Sequence, residues 1–256
     1  MRLDKFLSNR TPYSRSEVKA LLRQGVVQVD GITIQDASRN IDPEKQVITC
    51  QGKTIHGGTF VYYLVNKPLG YICATEDRTH KIVIDLIPAE CRVKGLFPAG
   101  RLDSDSTGLV LLTDDGALAH KILSPKSHIP KYYLIRLARP FLADYIKQCA
   151  EGITLSDGTE CLPAEIQLIS GKYVLVCLHE GKYHEVRRMF AALGNHVEFL
   201  HRVAMGGVIL PPTLSTGDYL EVFNKDVENL LKPLQFQEVC EQIVTDFSSY
   251  LINVSP

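Results

Sequence analysis

The chain has 256 residues, 45% of them hydrophobic and 22% charged, with a formal net charge of −1. Those values suit one large domain, or one medium domain with a small one, and no window approaches the roughly 18 consecutive apolar residues of a membrane span. The start, M-R-L-D-K-F-L-S-N-R, lacks the apolar run of a secretory signal, and the 7 cysteines form no C-x-x-C, which fits a reduced, cytoplasmic protein. The near-zero net charge hides a gradient. Residues 1–58 carry nine Lys/Arg against six Asp/Glu, whereas residues 226–256 carry one Lys against five acids. A basic head points to an anionic partner.

In chain order, Ser14-Arg15-Ser16-Glu17 predicts a capping box at a helix start. Val18, Leu21 and Leu22 then share one face, and Arg15, Lys19 and Arg23 form a cationic ridge at four-residue spacing. Gly25 stands where that helix would stop. Val26 to Val29, Asp30-Gly31 and Ile32 to Ile34 predict a hairpin. With Arg2, Lys5 and Arg10 nearby, the ridge suits a phosphate backbone. The order of helix, glycine stop and D-G hairpin resembles an S4 RNA-binding module, here assigned to residues 1–58. Gly52, Gly57 and Gly58 around His56 mark a linker, and the strand-like run from Phe60 to Val65 opens a second unit.

The stretch G-R-L-D-S-D-S-T-G-L-V-L-L-T-D-D-G (Gly100 to Gly116) holds four aspartates. Asp103, Asp105, Thr107, Gly108 and Asp114 have the spacing of a calcium loop, but Leu109-Val110-Leu111-Leu112 is a buried strand by composition and puts leucine at a ligand position. A phosphoryl-transfer aspartate would leave the end of an apolar strand, whereas here the strand follows the motif. Asp114-Asp115-Gly116 fits a turn after that strand. Asp103 fits a purely structural role least well.

The same stretch resembles the active-site motif of RNA pseudouridine synthases of the RsuA type. Y-Y-L-V-N-K-P-L-G-Y-I-C-A-T (Tyr62 to Thr75), L-S-P-K…K-Y-Y-L-I-R-L (Leu123 to Leu137) and E-G-K-Y-H-E-V-R-R-M-F-A-A-L-G-N-H-V (Glu180 to Val197) are similar to other motifs of that family, in its order. The resemblance implies an α+β fold, with a mixed, mainly antiparallel sheet over residues 59–225. It also implies isomerisation of a uridine within RNA: the C1′–N1 bond breaks, the uracil turns, and a C1′–C5 bond forms. Atoms are conserved, so no redox cofactor and no metal are expected.

By resemblance Asp103 is the carboxylate beneath the ribose, and Arg187 is the cation that keeps it ionised in an enclosed site. Tyr133 stacks on the extruded base and assists loss of the C5 proton; Tyr132, its strand neighbour, faces the other way. Arg101 fills the space the base vacates or holds the extruded nucleotide, and Lys131 and Arg188 touch phosphates. Arg2, Lys5, Arg15, Lys19 and Arg23 form the RNA surface of the head. Where many relatives have His-Gln, this chain has His184-Glu185. Glu185 is expected to face away from Arg187 toward another cation, and His184 to be a structural hydrogen bonder.

The third motif and L-H-R-V-A-M-G-G-V-I-L (Leu200 to Leu210) resemble the small-subunit branch, which implies a uridine of 16S rRNA, uridine 516. A 23S target and a non-catalytic rRNA-binding assembly factor are the alternatives. The partner is expected to be 16S rRNA or a small-subunit assembly intermediate, met by a monomer. In residues 226–256, Val239, Ile243 and Phe247 recur at four-residue spacing, which predicts an amphipathic helix packed on the body, with a partner-binding extension as the alternative.

Overall fold

A computed structural model describes residues 1–43, 45–55, 57–58 and 60–252. His56, at the expected linker, and the last four residues lie outside the described residues.

The head begins with helices α1 (Leu3–Arg10) and α2 (Arg15–Arg23), followed by strands β1 (Val27–Val29), β2 (Ile32–Thr33), β3 (Ile48–Cys50) and β4 (Lys53–Ile55). The Ser14 side chain accepts from the Glu17 N–H, and the Glu17 carboxylate accepts from the Ser14 N–H at 2.7 Å, closing the expected capping box. Gly25 ends α2 at φ +75°, and Asp30 and Gly31 both take positive φ, the turn that twists a two-residue hairpin correctly. Leu3, Phe6, Leu7, Val18, Leu22, Val27 and Ile48 close a small core of their own. Each such side chain contributes about 1.5–3 kcal/mol on burial.

The body continues through strands β5 (Tyr62–Lys67), β6 (Tyr71–Ile72), β7 (Lys81–Ile82), β8 (Phe97–Pro98) and β9 (Thr107–Thr113) to helix α3 (Gly116–Leu123). Strand β10 (Lys131–Leu137), helix α4 (Asp144–Glu151), strands β11 (Glu165–Ser170) and β12 (Tyr173–Leu178), and helix α5 (Glu185–Ala192) follow. Strands β13 (Val197–Met205), β14 (Val208–Ile209) and β15 (Tyr219–Val222) precede helices α6 (Asn224–Glu228) and α7 (Phe236–Ile252). The main sheet runs β11-β12-β10-β13-β9-β5-β15, with β14 on β13 and β8 on β9. Only the β13–β9 pair is parallel among its described pairings. The sheet is therefore mixed and mainly antiparallel.

Alternation along the strands gives three apolar clusters on the two faces of the sheet. Val110 and Leu112 of β9 and Tyr133 and Ile135 of β10 face α4 and α5. Leu109 and Leu111 face α3. Tyr132 and Leu134 face α7, through Val239, Cys240 and Ile243. The four-residue repeat of the tail thus closes the far face of the sheet, as expected from packing. Asp114 and Asp115 are structural: the Asp114 carboxylate accepts from Val61 N–H at 2.8 Å, and Asp115 caps α3 through Leu118 N–H at 3.0 Å. Among the described residues no helix is long and apolar enough to cross a membrane.

Among the described residues, head and body meet at two ion pairs, Arg10–Glu221 at 3.5 Å and Lys53–Glu90 at 3.3 Å. Arg10 is buried, and burial pulls its pKa down, so it belongs to the domain junction and not to the exposed basic face suggested by charge counting. Arg15, Lys19 and Arg23 are exposed together on α2, as the ridge requires.

Candidate active site

Asp103 lies in the loop between β8 and β9, on a tight turn in which its carbonyl accepts from Ser106 N–H at 3.1 Å. The N-K-P-L-G segment holds that loop from the other side, since Gly70 N–H donates to the Ser104 carbonyl at 2.8 Å. Gly108 explains the glycine of the motif. It stands at φ +106° opposite Arg202 in the parallel pair, and an added Cβ would lie 2.4 Å from the Arg202 carbonyl oxygen. Only glycine lets β9 approach β13 so closely just after the aspartate.

The Asp103 side chain is 37% exposed, and the His184 ring lies beside it, with Nε2 3.5 Å from Oδ1. The expected pairing with Arg187 is corrected here. Arg187 donates to the Asp105 carbonyl at 3.0 Å and to the Val197 carbonyl at 2.9 Å, and its Nη2 lies 3.1 Å from the Asp105 carboxylate. The guanidinium clamps the backbone of the aspartate loop onto α5 and β13. The physical reason is competition: the Asp105 carbonyl, the Asp105 carboxylate and the Val197 carbonyl already take the guanidinium. Asp105, which the sequence reading gave no role in the site, is the acid that takes this arginine.

Tyr133 on β10 faces Arg202 on β13 across the sheet. A bulge between Tyr132 and Tyr133 shifts the register there, a device that commonly re-aims a side chain next to a site. Tyr133 is 8% exposed. Burial raises its pKa, and the positive charge of the Arg202 guanidinium opposes that rise. Asp103 and Glu185 also act on it. Tyr132 points the opposite way, and its hydroxyl donates to the Leu234 carbonyl at 2.6 Å.

Two buried cations were missed in the sequence. Lys67, at the end of β5, is fully buried and donates to the Pro68 carbonyl at 2.9 Å. Burial pulls its pKa to about 8 against the pull of Cys73, Asp103 and Asp105. Arg202 is buried, its Nε donating to the Leu109 carbonyl at 2.7 Å, while its Nη2 has no partner among the described residues. A signal existed: a lysine closes the strand-like run Y-Y-L-V-N-K and an arginine stands within L-H-R-V-A-M, and a charge within such a strand is rarely idle.

The expected phosphate contacts differ in availability. Arg101 is exposed. Lys131 is half-buried and donates to the Ile129 carbonyl at 3.0 Å, and burial lowers its pKa, so it is tied inward instead of standing on the surface. Arg188 is held by Asp157 and by the Tyr183 carbonyl at 3.3 Å. In the head, Lys5 is exposed, and the exposed Arg2 is paired with Asp4 at 2.9 Å.

Glu185 does turn away from Arg187. Its carboxylate accepts from Lys182 N–H at 2.8 Å, and it is only 4% exposed. Burial first, then the neighbouring Glu180 carboxyl, pushes its pKa up to about 7. The nearby cation, Lys182, bonds to Glu180. Cys161, Glu180 and Glu185 form one cluster of metal-ligand type and Glu165, Cys177 and His179 another. Neither includes Asp103, and in the first the Lys182 ammonium already sits on Glu180. Cavities of about 380 Å³ beside Arg10 and Glu221 and of about 230 Å³ beside α4 are likewise not lined by Asp103 or Tyr133. The aspartate sits at an open surface, which suits a macromolecular substrate better than a small one.

Comparison with known proteins identifies the family. Residues 1–47 match the S4 domain family and residues 61–192 match the RNA pseudouridylate synthase family. The chain is 41% identical to an uncharacterised RNA pseudouridine synthase of Bacillus subtilis, over 91% of this chain and 99% of that one. It is 38% identical to ribosomal small subunit pseudouridine synthase A of Escherichia coli, over 90% of this chain and 100% of the relative. A crystal structure of a pseudouridylate synthase, 36% identical, superposes with a TM-score of 0.63 and covers 90% of this chain and 99% of its own. The chain belongs to the RNA pseudouridine synthases. Within that family it is of the RsuA type, with an S4 domain ahead of the catalytic one.

Proposed function

We propose that the protein converts one uridine of 16S rRNA, uridine 516, into pseudouridine, with Asp103 as the residue that meets the ribose. Support for the substrate comes from the near full-length similarity to small-subunit synthases. Support for the residue comes from one observation above the rest: Asp103 is a half-open carboxylate on a loop fixed from both sides, by Gly70 and by Arg187.

In this reading residues 1–58 bind RNA through Arg15, Lys19 and Arg23, with Lys5 and Arg2 beside them. Residues 59–225 carry the chemistry, and α7 braces the sheet. The protein works as a monomer in the cytoplasm on rRNA or an assembly intermediate. The target base leaves its stack, at a cost of a few kcal/mol, and Arg101 occupies the gap. The Asp103 carboxylate stabilises positive charge at C1′ as N1 departs with the bonding pair. The uracil turns against the Tyr133 ring, C5 bonds to C1′, the C5 proton leaves to solvent and N1 gains a proton. Burial favours the neutral Tyr133 phenol, so its part is to stack and to hydrogen-bond, held by Arg202, and not to act as an anionic base. Lys67 and Arg202 set a positive potential under the departing uracil.

Incubation with unmodified 16S and 23S transcripts, followed by carbodiimide modification and primer extension, tests the substrate. A single stop at uridine 516 of the 16S transcript is expected. Stops confined to 23S would replace the substrate, and the absence of any stop would reject the reading.

A further inference from the structure

Tyr183 is 75% exposed, the largest value among the described exposed hydrophobic side chains. Its ring lies parallel to that of His184, with centroids 3.9 Å apart and planes 16° apart. His184 Nε2 is 3.5 Å from Asp103 Oδ1. One side of the Tyr183 ring is thus joined through an imidazole to the aspartate, and the other side is open to water.

We propose that the Tyr183–His184 stack is a binding subsite for an unstacked nucleobase adjacent to the target uridine. This rests on the reading of Asp103 as the residue beneath the ribose. Removing one base from a stack exposes the faces of its neighbours, and a flat aromatic surface beside the site replaces that lost contact. Such surfaces accept any base, because every base has a π face. An aromatic ring left this open on a folded surface has no packing role on its outer face, and its inner face is already joined to the site.

The segment is built to hold its shape. His184 takes the left-handed conformation at φ +49°, which costs a non-glycine residue about 1–2 kcal/mol and turns its ring toward Asp103 at the start of α5. The Tyr183 carbonyl accepts from Arg188, itself anchored on Asp157. Lys182 N–H donates to the buried Glu185 carboxylate, and Glu185 N–H donates back to the Lys182 carbonyl at 3.2 Å. The two rings therefore sit on a pinned turn, which reduces the entropy lost when a base lands on them. Glu185 acquires a role in this scheme as the buried strut beneath the stack.

The test uses a 16S fragment with 2-aminopurine on either side of the target, bound to protein carrying Asp103→Asn so that it stays unreacted. Stacking on Tyr183 quenches the probe at one flank, and adding Tyr183→Ala to the same protein relieves that quench. In steady state, Tyr183→Ala raises KM by roughly 5- to 150-fold, the range for loss of one base–aromatic stack, with the loss on KM and not on kcat. Tyr183→Phe keeps the ring and rescues KM. An unchanged KM and an unchanged quench in Tyr183→Ala would overturn the proposal, as would equal losses in the Ala and Phe variants. A wild-type protein that makes no pseudouridine would instead overturn the proposed function, while the fluorescence still reports on the stack.

Discussion

Replacing Gly108 by alanine probes the link between the motif and the fold. The new Cβ would stand 2.4 Å from the Arg202 carbonyl oxygen and 2.6 Å from its amide nitrogen, whereas ordinary contact begins at 3.4 Å. Backbone, and not a flexible side-chain tip, occupies both positions, so β13 has to retreat by about 1 Å or β9 has to twist away. Strain at φ +106° adds about 1–2 kcal/mol, and overpacking typically adds about 1–3 kcal/mol. The expected destabilisation is therefore about 2–5 kcal/mol, a drop in Tm of roughly 5–15 °C for a protein of this size. Urea unfolding measures it as a shift in midpoint at constant slope. The variant also carries Asp103 and Arg202 out of register, so its kcat falls together with its stability. A loss below about 1 kcal/mol would refute the argument, because β9 and β13 would then not be in backbone contact at this point.

Further outcomes follow from the same site. Arg187→Ala releases the aspartate loop, and kcat should fall about 100-fold, the penalty of misplacing a reacting group by about 1 Å; Arg187→Lys should not restore it, since one ammonium cannot reach both Asp105 and the Val197 carbonyl. A kcat within about threefold of wild type for Arg187→Ala would remove the clamp from the account. Lys67→Met should stabilise the protein near neutral pH by roughly 1–3 kcal/mol, because a desolvated ammonium is replaced by an apolar chain, while activity drops; a variant that is both less stable and fully active would contradict this. Glu185 has its folded pKa raised from 4.5 to about 7, so its stabilising contribution is fully present below about pH 4.5 and is lost as pH rises through about 7. Glu185→Gln should flatten the urea midpoint across that window relative to wild type, and an equal pH slope in both proteins would mean that Glu185 is not held protonated.

Much of this fold could be read before any coordinates. The head followed from local rules: a capping box at Ser14 and Glu17, a stop at Gly25 and a hairpin turn at Asp30-Gly31 are decided by neighbours in sequence. The amphipathic tail was legible for the same reason, through the spacing of Val239 and Ile243. The charged partners were not. Arg187 with Asp105, Arg10 with Glu221 and Tyr133 with Arg202 are contacts between distant segments, and sheet register, not spacing, selects them. Lys67 escaped notice because its burial depends on both faces of β5 being covered. His184 beside Asp103 depends on a left-handed turn that a histidine adopts only under constraint from its surroundings.

The most direct test of the account is single-turnover tritium release from 16S rRNA labelled at C5 of uridine, since forming the C1′–C5 bond must expel the proton from C5. Asp103→Asn should bind the RNA with wild-type affinity and release no tritium, while Asp105→Asn, which weakens the arginine clamp and leaves Asp103 in place, should release it slowly but measurably. Tritium release by Asp103→Asn at the wild-type rate would show that another group meets the ribose, and the central claim would fall.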